Sequence, residues 1–295
     1  MAEIEPAATK PKLRKAGEQR MKSVGGFVVK FWGVRAKVAA PGKDTIRYGG
    51  NTACIVIEVG KNLLIFDSGT GVRKLGGSLL SQMPVKAYMF FTHCHWDRIQ
   101  GFPFFAPAFI PGNSFHIYGA KATNGSSFEA RLQEQMTQPN FPVPIGVMQS
   151  KLKFSLLEED EKYSLGDISV ETASLNYAHR SIAYRVNWQG YSAVCATDVC
   201  YSSENPTPSL ISLAHQADLL ILNTPNFLTA TDQLAWHNLV SIAKEAKIKK
   251  LVLCMYSPEH NDDLLDKMQD KIQSVFPNAV LACEGMNLSV INSQY

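Results

Sequence analysis

The residues of this chain best suited to chemistry stand in one short loop, Thr92-His93-Cys94-His95-Trp96-Asp97-Arg98, directly after an apolar run that ends at Phe91. Alternating histidines behind a buried strand can bring two imidazoles onto one divalent metal, and a carboxylate can complete a zinc site that keeps an open position. Arg98 cannot join such a set, because a guanidinium carries only donors and stays protonated. Beside Asp97 it can supply fixed positive charge, which carboxylates gathered without a metal require. The two histidines also read as ring partners in hydrogen bonds within the loop, and both readings stand at this point.

The elements around this loop follow from hydrophobic pattern and turn residues. Residues 27–34 are β-rich, and residues 53–60 and 62–69 read as two strands of a hairpin joined at a Gly-Lys turn. Residues 85–93 (VKAYMFFTH) are too continuously apolar for a half-exposed strand, so they predict a central strand covered on both faces. A short strand at 114–119 and a Ser-capped helix over 126–136 follow. The second half carries four strand-like runs, at 151–157, 168–175, 182–188 and 191–198. Further strands at 218–224, 250–257 and 279–285 alternate with helices over 208–217, 234–246 and 264–276. Strand-rich halves with helices between and after them predict two sheets packed face to face and covered by helices.

The 295 residues suit one large domain, and no linker-like break divides them. One domain is expected over 25–295, behind a flexible tail over 1–24 made basic by Lys10, Lys12, Arg14, Lys15, Arg20 and Lys22. That leader has no apolar core of a secretory signal, and no run of about 18 apolar residues occurs anywhere, so a cytoplasmic protein without a membrane span is expected. The six cysteines form no CxxC pair, which agrees with a reducing compartment. A formal charge of +3 does not by itself call for nucleic acid, and no interleaving of basic and aromatic residues suggests a stacking platform.

The loop at 93–98 resembles the metallo-β-lactamase superfamily signature His-x-His-x-Asp-His, which supplies ligands for two divalent metals. Residues 31–59 look like the N-terminal hairpin of the phosphodiesterase-like, RNase Z-related branch, and segments 101–119 and 135–144 look similar to that branch as well. Asp67-Ser68-Gly69-Thr70-Gly71 resembles the branch's Asp-x-Gly-x-Gly turn, in which the Asp orients the metal-binding loop. The resemblance covers roughly residues 26–295 and implies an αββα sandwich of two mixed β-sheets flanked by helices.

The ligand set that the resemblance implies is altered. Arg98 stands at the last His of the signature, Tyr177 at a second His position and Met255 at a third. Asp198, in CATDVC, matches the bridging carboxylate. His93, His95 and Asp198 are left as a residual first site, and the second metal is expected to be lost. Tyr177 is a weak ligand because it is mostly protonated at neutral pH. His179 lies two residues further on, on the same strand face but displaced. Cys94, Cys195, Cys200 and Cys254 fall in or beside these motifs and read either as buried inert thiols or as a redox or thiolate site.

The leading expectation is a pseudoenzyme that binds another protein, through its basic tail, or an anionic small molecule. Arg98, His179, Arg180, Arg35 and Arg47 are its anion-binding candidates, with Arg35 and Arg47 read alternatively as scaffold. The altered pocket is expected to be closed by Tyr177, Arg98 and Met255. No cofactor is expected beyond at most one divalent ion, zinc, manganese or iron. The alternative is a mononuclear phosphodiesterase or esterase in which Asp97 acts as general base and Arg98 stabilises charge on a phosphoryl oxygen.

Overall fold

The structure, a computed structural model, describes residues 26–176, 180–201, 208–225 and 231–291. The expected tail over 1–24, and Tyr177 and His179, lie outside the described residues. The chain opens with β1 (Phe27–Gly33), β2 (Cys54–Val59), β3 (Asn62–Phe66), β4 (Lys86–Phe90), β5 (Ser114–Gly119) and β6 (Lys151–Leu156). Then come β7 (Lys162–Leu165), β8 (Ile168–Asn176), β9 (Ser181–Trp188), β10 (Tyr191–Ala196), β11 (Leu219–Asn223), β12 (Lys250–Cys254), β13 (Ala279–Leu281) and β14 (Asn287–Ser289). The helices are α1 (Gly71–Leu79), α2 (Trp96–Ile99), α3 (Phe128–Gln135), α4 (Pro208–Ala214), α5 (Thr231–Glu245) and α6 (Asp262–Val275).

The strands form two seven-stranded sheets, in the orders β14-β1-β2-β3-β4-β5-β6 and β13-β12-β11-β10-β9-β8-β7. Both are mixed: β1, β2 and β3 pair antiparallel while β3 to β6 run parallel, and β7 to β10 pair antiparallel while β10 to β13 run parallel. Parallel pairs need crossovers, and the helices that supply them cover the outer faces. One apolar cluster fills the space between the sheets and continues under the second sheet's helices, and another lies beneath α1 and α3. Strand β4 faces both, with Phe90 in the first cluster and Ala87 and Met89 in the second. This is why its sequence is apolar without alternation. The Phe90 ring stacks on Phe66 at 5.5 Å and on Tyr118 at 4.8 Å.

Ser127 caps α3 as its sequence suggests, accepting from the Ala130 N–H at 3.1 Å. Two strands escaped the sequence pattern. β7 is a four-residue, half-exposed edge strand, and β14 is three residues that pair with β1. Neither is long enough to show a period.

The parallel order of β3 and β4 places the ends of both strands side by side, and the site is built there. The turn after β3 is closely joined to α2: Ser68 N–H donates to Arg98 O at 2.7 Å, and Gly101 N–H donates to Ser68 O at 2.8 Å. A Cβ at Gly101 would stand 2.0 Å from Gly69 O, a backbone atom that cannot swing aside. Gly101→Ala should therefore destabilise the protein by about 1–3 kcal/mol or more through overpacking. Gly77, in α1 with open space around its Cβ position, should gain about 0.5–1 kcal/mol as Ala. Urea unfolding midpoints of the two variants should move in opposite directions, and equal shifts would refute this packing argument.

Candidate metal centre and adjoining cleft

Asp67 organises the site from below. It leaves β3 in a left-handed conformation, φ 60°, and its carboxylate is 3% exposed. Oδ1 accepts the Thr92 N–H at 2.8 Å, and the Thr92 hydroxyl donates to the same carboxylate at 2.9–3.0 Å. These bonds fix the start of the His93 loop against the end of β3. Thr92 O in turn accepts the Ile182 N–H at 2.9 Å, which ties the loop to β9 in the other sheet.

His93 is buried and His95 exposed, with their rings edge to face at 4.5 Å. The His93 Nδ1 lies 3.1 Å from Thr92 Oγ1 and 3.9 Å from Asp198 Oδ2. One ligand atom from each of His93, His95 and Asp97 falls within 4.8 Å of the others. This donor set fits a single divalent ion.

The neighbouring position is filled by protein. Arg98, 2% exposed, donates from Nε to Asp97 Oδ2 at 3.1 Å and from Nη1 to Asp67 Oδ2 at 3.0 Å. Nη1 also donates to Thr197 Oγ1 at 2.9 Å, and Nη2 donates to Thr197 O at 2.9 Å. Four of its five N–H groups are thereby engaged. Burial opposes the guanidinium's charge, yet the carboxylates of Asp67, Asp97 and Asp198 outweigh it and hold Arg98 above its ordinary pKa. For Asp67, burial is the larger effect and raises it to about 6, with Arg98 and Thr92 pulling the other way. The pair is thus charged at neutral pH, with the guanidinium held between Asp67 and Asp97.

Asp97 Oδ2 also accepts the Lys37 N–H at 3.1 Å. Asp198 follows β10 and is partly exposed, with 27% of its side chain accessible. A cleft of about 420 Å³ opens next to the guanidinium and includes Lys37, Arg98, Thr197, Asp198 and Met255 in its walls. Met255, in a left-handed conformation after β12, is 3% exposed. The expected closure is therefore corrected for two of its three residues. Arg98 is drawn aside by Asp67 and Thr197, and Met255 packs into the wall, so both border the cleft instead of filling it.

Arg35 and Arg47 are engaged elsewhere, and His179 lies outside the described residues. Arg35 is fully buried and donates to Gly49 O, Ser257 O and His260 O at 2.8, 3.1 and 2.6 Å, with Tyr256 against its guanidinium. It fastens three loops as scaffold. Arg47 is half exposed and paired with Asp262, Asp263 and Asp266 of α6. Arg180 is exposed in the turn before β9. Burial pushes the Cys254 thiol up to about 12 and Cys195 well above its ordinary value, which suits inert core cysteines. Cys94 is half-buried and Cys200 exposed.

Three participants were missed from sequence: Thr92, Thr197 and the Lys37 backbone. Arg98 was expected to offset Asp97, and the structure adds Asp67 as its second bonded carboxylate. The only available signal was that Thr92 and Thr197 directly precede His93 and Asp198.

No protein-family model matches this chain. Over 49 residues, 17% of the chain, it is 39% identical to a ribonuclease Z of Treponema denticola, and the match spans 16% of that relative. The metallo-β-lactamase fold protein YhfI of Bacillus subtilis superposes with a TM-score of 0.65 at 18% identity, covering 90% of this chain and 99% of that one. A diphosphatase of the PhnP family gives 0.64 at 16% identity, over 89% and 96% of the two chains. The short form of human tRNase Z gives 0.61 at 17% identity, over 90% and 99%. With two seven-stranded mixed sheets between helical layers, the chain has the metallo-β-lactamase fold.

Proposed function

We propose that this protein has exchanged the second metal of a binuclear centre for an internal guanidinium and works as a ligand-binding member of its fold, without binuclear hydrolysis. The observation that carries this reading is the buried Arg98, bonded at once to Asp67, Asp97 and Thr197. An anionic ligand in the adjoining cleft would meet Lys37 and the remaining N–H of Arg98, with Asp198 favouring ligands that also carry donors. The basic segment 1–24 is the proposed arm toward an acidic protein partner.

A second reading is favoured by the clustering of His93, His95 and Asp97. These residues would hold one divalent ion, which when bound supplies Lewis acidity and a source of hydroxide near neutral pH. The chain's own part would be to fix His93 through Thr92, orient Asp97 through Lys37 and Arg98, and admit an ester from the cleft.

Two measurements test these readings. Bis(p-nitrophenyl) phosphate, offered with zinc, manganese or iron, should show no turnover above buffer. Turnover that depends on metal and vanishes in His95→Ala would replace the binding reading with the mononuclear hydrolase. Arg98→Ala leaves Asp67 and Asp97 buried without their cation and should cost about 3–5 kcal/mol in denaturant unfolding. Arg98→Lys should recover only part of that, because an ammonium cannot reproduce the fork. A loss below about 0.5 kcal/mol, the size of a neutral surface change, would show that the cluster does not need its guanidinium.

A further inference from the structure

A second hollow, of about 500 Å³, lies between α5 and α6 and includes Trp236, Val240 and Lys244 on one side and Lys271 and Val275 on the other. Positions 236, 240 and 244 follow each other at four-residue spacing, so they share one face of α5. Positions 271 and 275 do the same on α6. Trp236 is 5% exposed and forms a floor, whereas Val275 keeps 47% of its surface accessible. Lys271 Nζ stands 5.7 Å from the centre of the Trp236 ring, a cation–π distance that keeps its ammonium over apolar surface. Lys244 is exposed on the opposite helix. Acids adjoin both walls: Glu245, which accepts the Ser241 hydroxyl at 2.6 Å, follows Lys244, and the exposed Asp270 precedes Lys271.

An apolar trough with ammonium groups on both sides suits an apolar body that ends in negative charge. We propose that this groove binds a single-chain amphiphile with a carboxylate head, its chain along Trp236, Val240 and Val275 and its head between Lys244 and Lys271. The volume lies within the roughly 300–1,000 Å³ of small-molecule sites. The chain's own segment 1–24 is basic and would meet like charge at both lysines. This site is independent of the Arg98 reading and stands or falls separately.

The test is tryptophan fluorescence with dodecanoate and, in parallel, dodecyltrimethylammonium, each below its micelle threshold. Dodecanoate should give a saturable change that disappears in Trp236→Phe, which assigns it among the four tryptophans. Lys244→Glu with Lys271→Glu, both at exposed positions, should weaken dodecanoate at least about tenfold and turn the preference toward the cationic amphiphile. Equal responses to the two amphiphiles in the unaltered protein would overturn the proposal. So would a dodecanoate response that survives Trp236→Phe or the charge reversal, or one that depends on protein concentration as cover by a second copy would.

Discussion

A guanidinium buried among carboxylates dominates the architecture of this site. Removing Arg98 from water is costly, and the cost is offset only because Asp67, Asp97 and both oxygens of Thr197 accept its N–H groups in favourable geometry. Those four contacts bind together the end of β3, the helix turn α2 and the end of β10. They therefore join the two sheets at the edge where the His93 loop stands. The Asp67 and Asp97 carboxylates are thereby paired within the protein, and the loop keeps its shape through protein bonds.

Electrostatics in this cluster also sets what the cleft can accept. Asp67 and Asp97 absorb most of the charge of Arg98, so the cationic character of the cleft rests on Lys37 and one N–H. Asp198 adds a partly exposed carboxylate within the same wall. Under the proposed ligand-binding reading, a ligand that combines acceptors with donors suits this lining better than a bare anion. The histidine side is separate in character: one buried ring, one exposed ring and the Asp97 carboxylate, with ligand atoms close enough to share an ion.

Much of the fold was legible because its signals are local. The unbroken apolar run at β4, the hairpin of β2 and β3 and the Ser127 cap each follow from a few neighbouring residues. The histidine loop was legible for the same reason. What sequence could not give was partnership across the fold. Arg35 and Arg98 are residues of one type, 63 positions apart, and nothing local distinguishes a scaffold arginine from a charge-replacing one. The distinction lies in long-range neighbours: three loop carbonyls for Arg35, two carboxylates for Arg98. The cleft lining depends on such neighbours too. Side-chain volume suggested closure, whereas hydrogen bonds draw Arg98 toward Asp67 and burial takes Met255 into the wall.

We propose that the Arg98 guanidinium takes the place of a second metal. This proposal is tested most directly by elemental mass spectrometry of metal content per chain, on protein purified without chelator or affinity metal. The account predicts one tightly held divalent ion or none, because only His93, His95 and Asp97 form a compatible donor set among the described residues. Two ions per chain would contradict it, since Arg98 would then have to leave Asp67 and Asp97 and the cluster described here would not be the native arrangement.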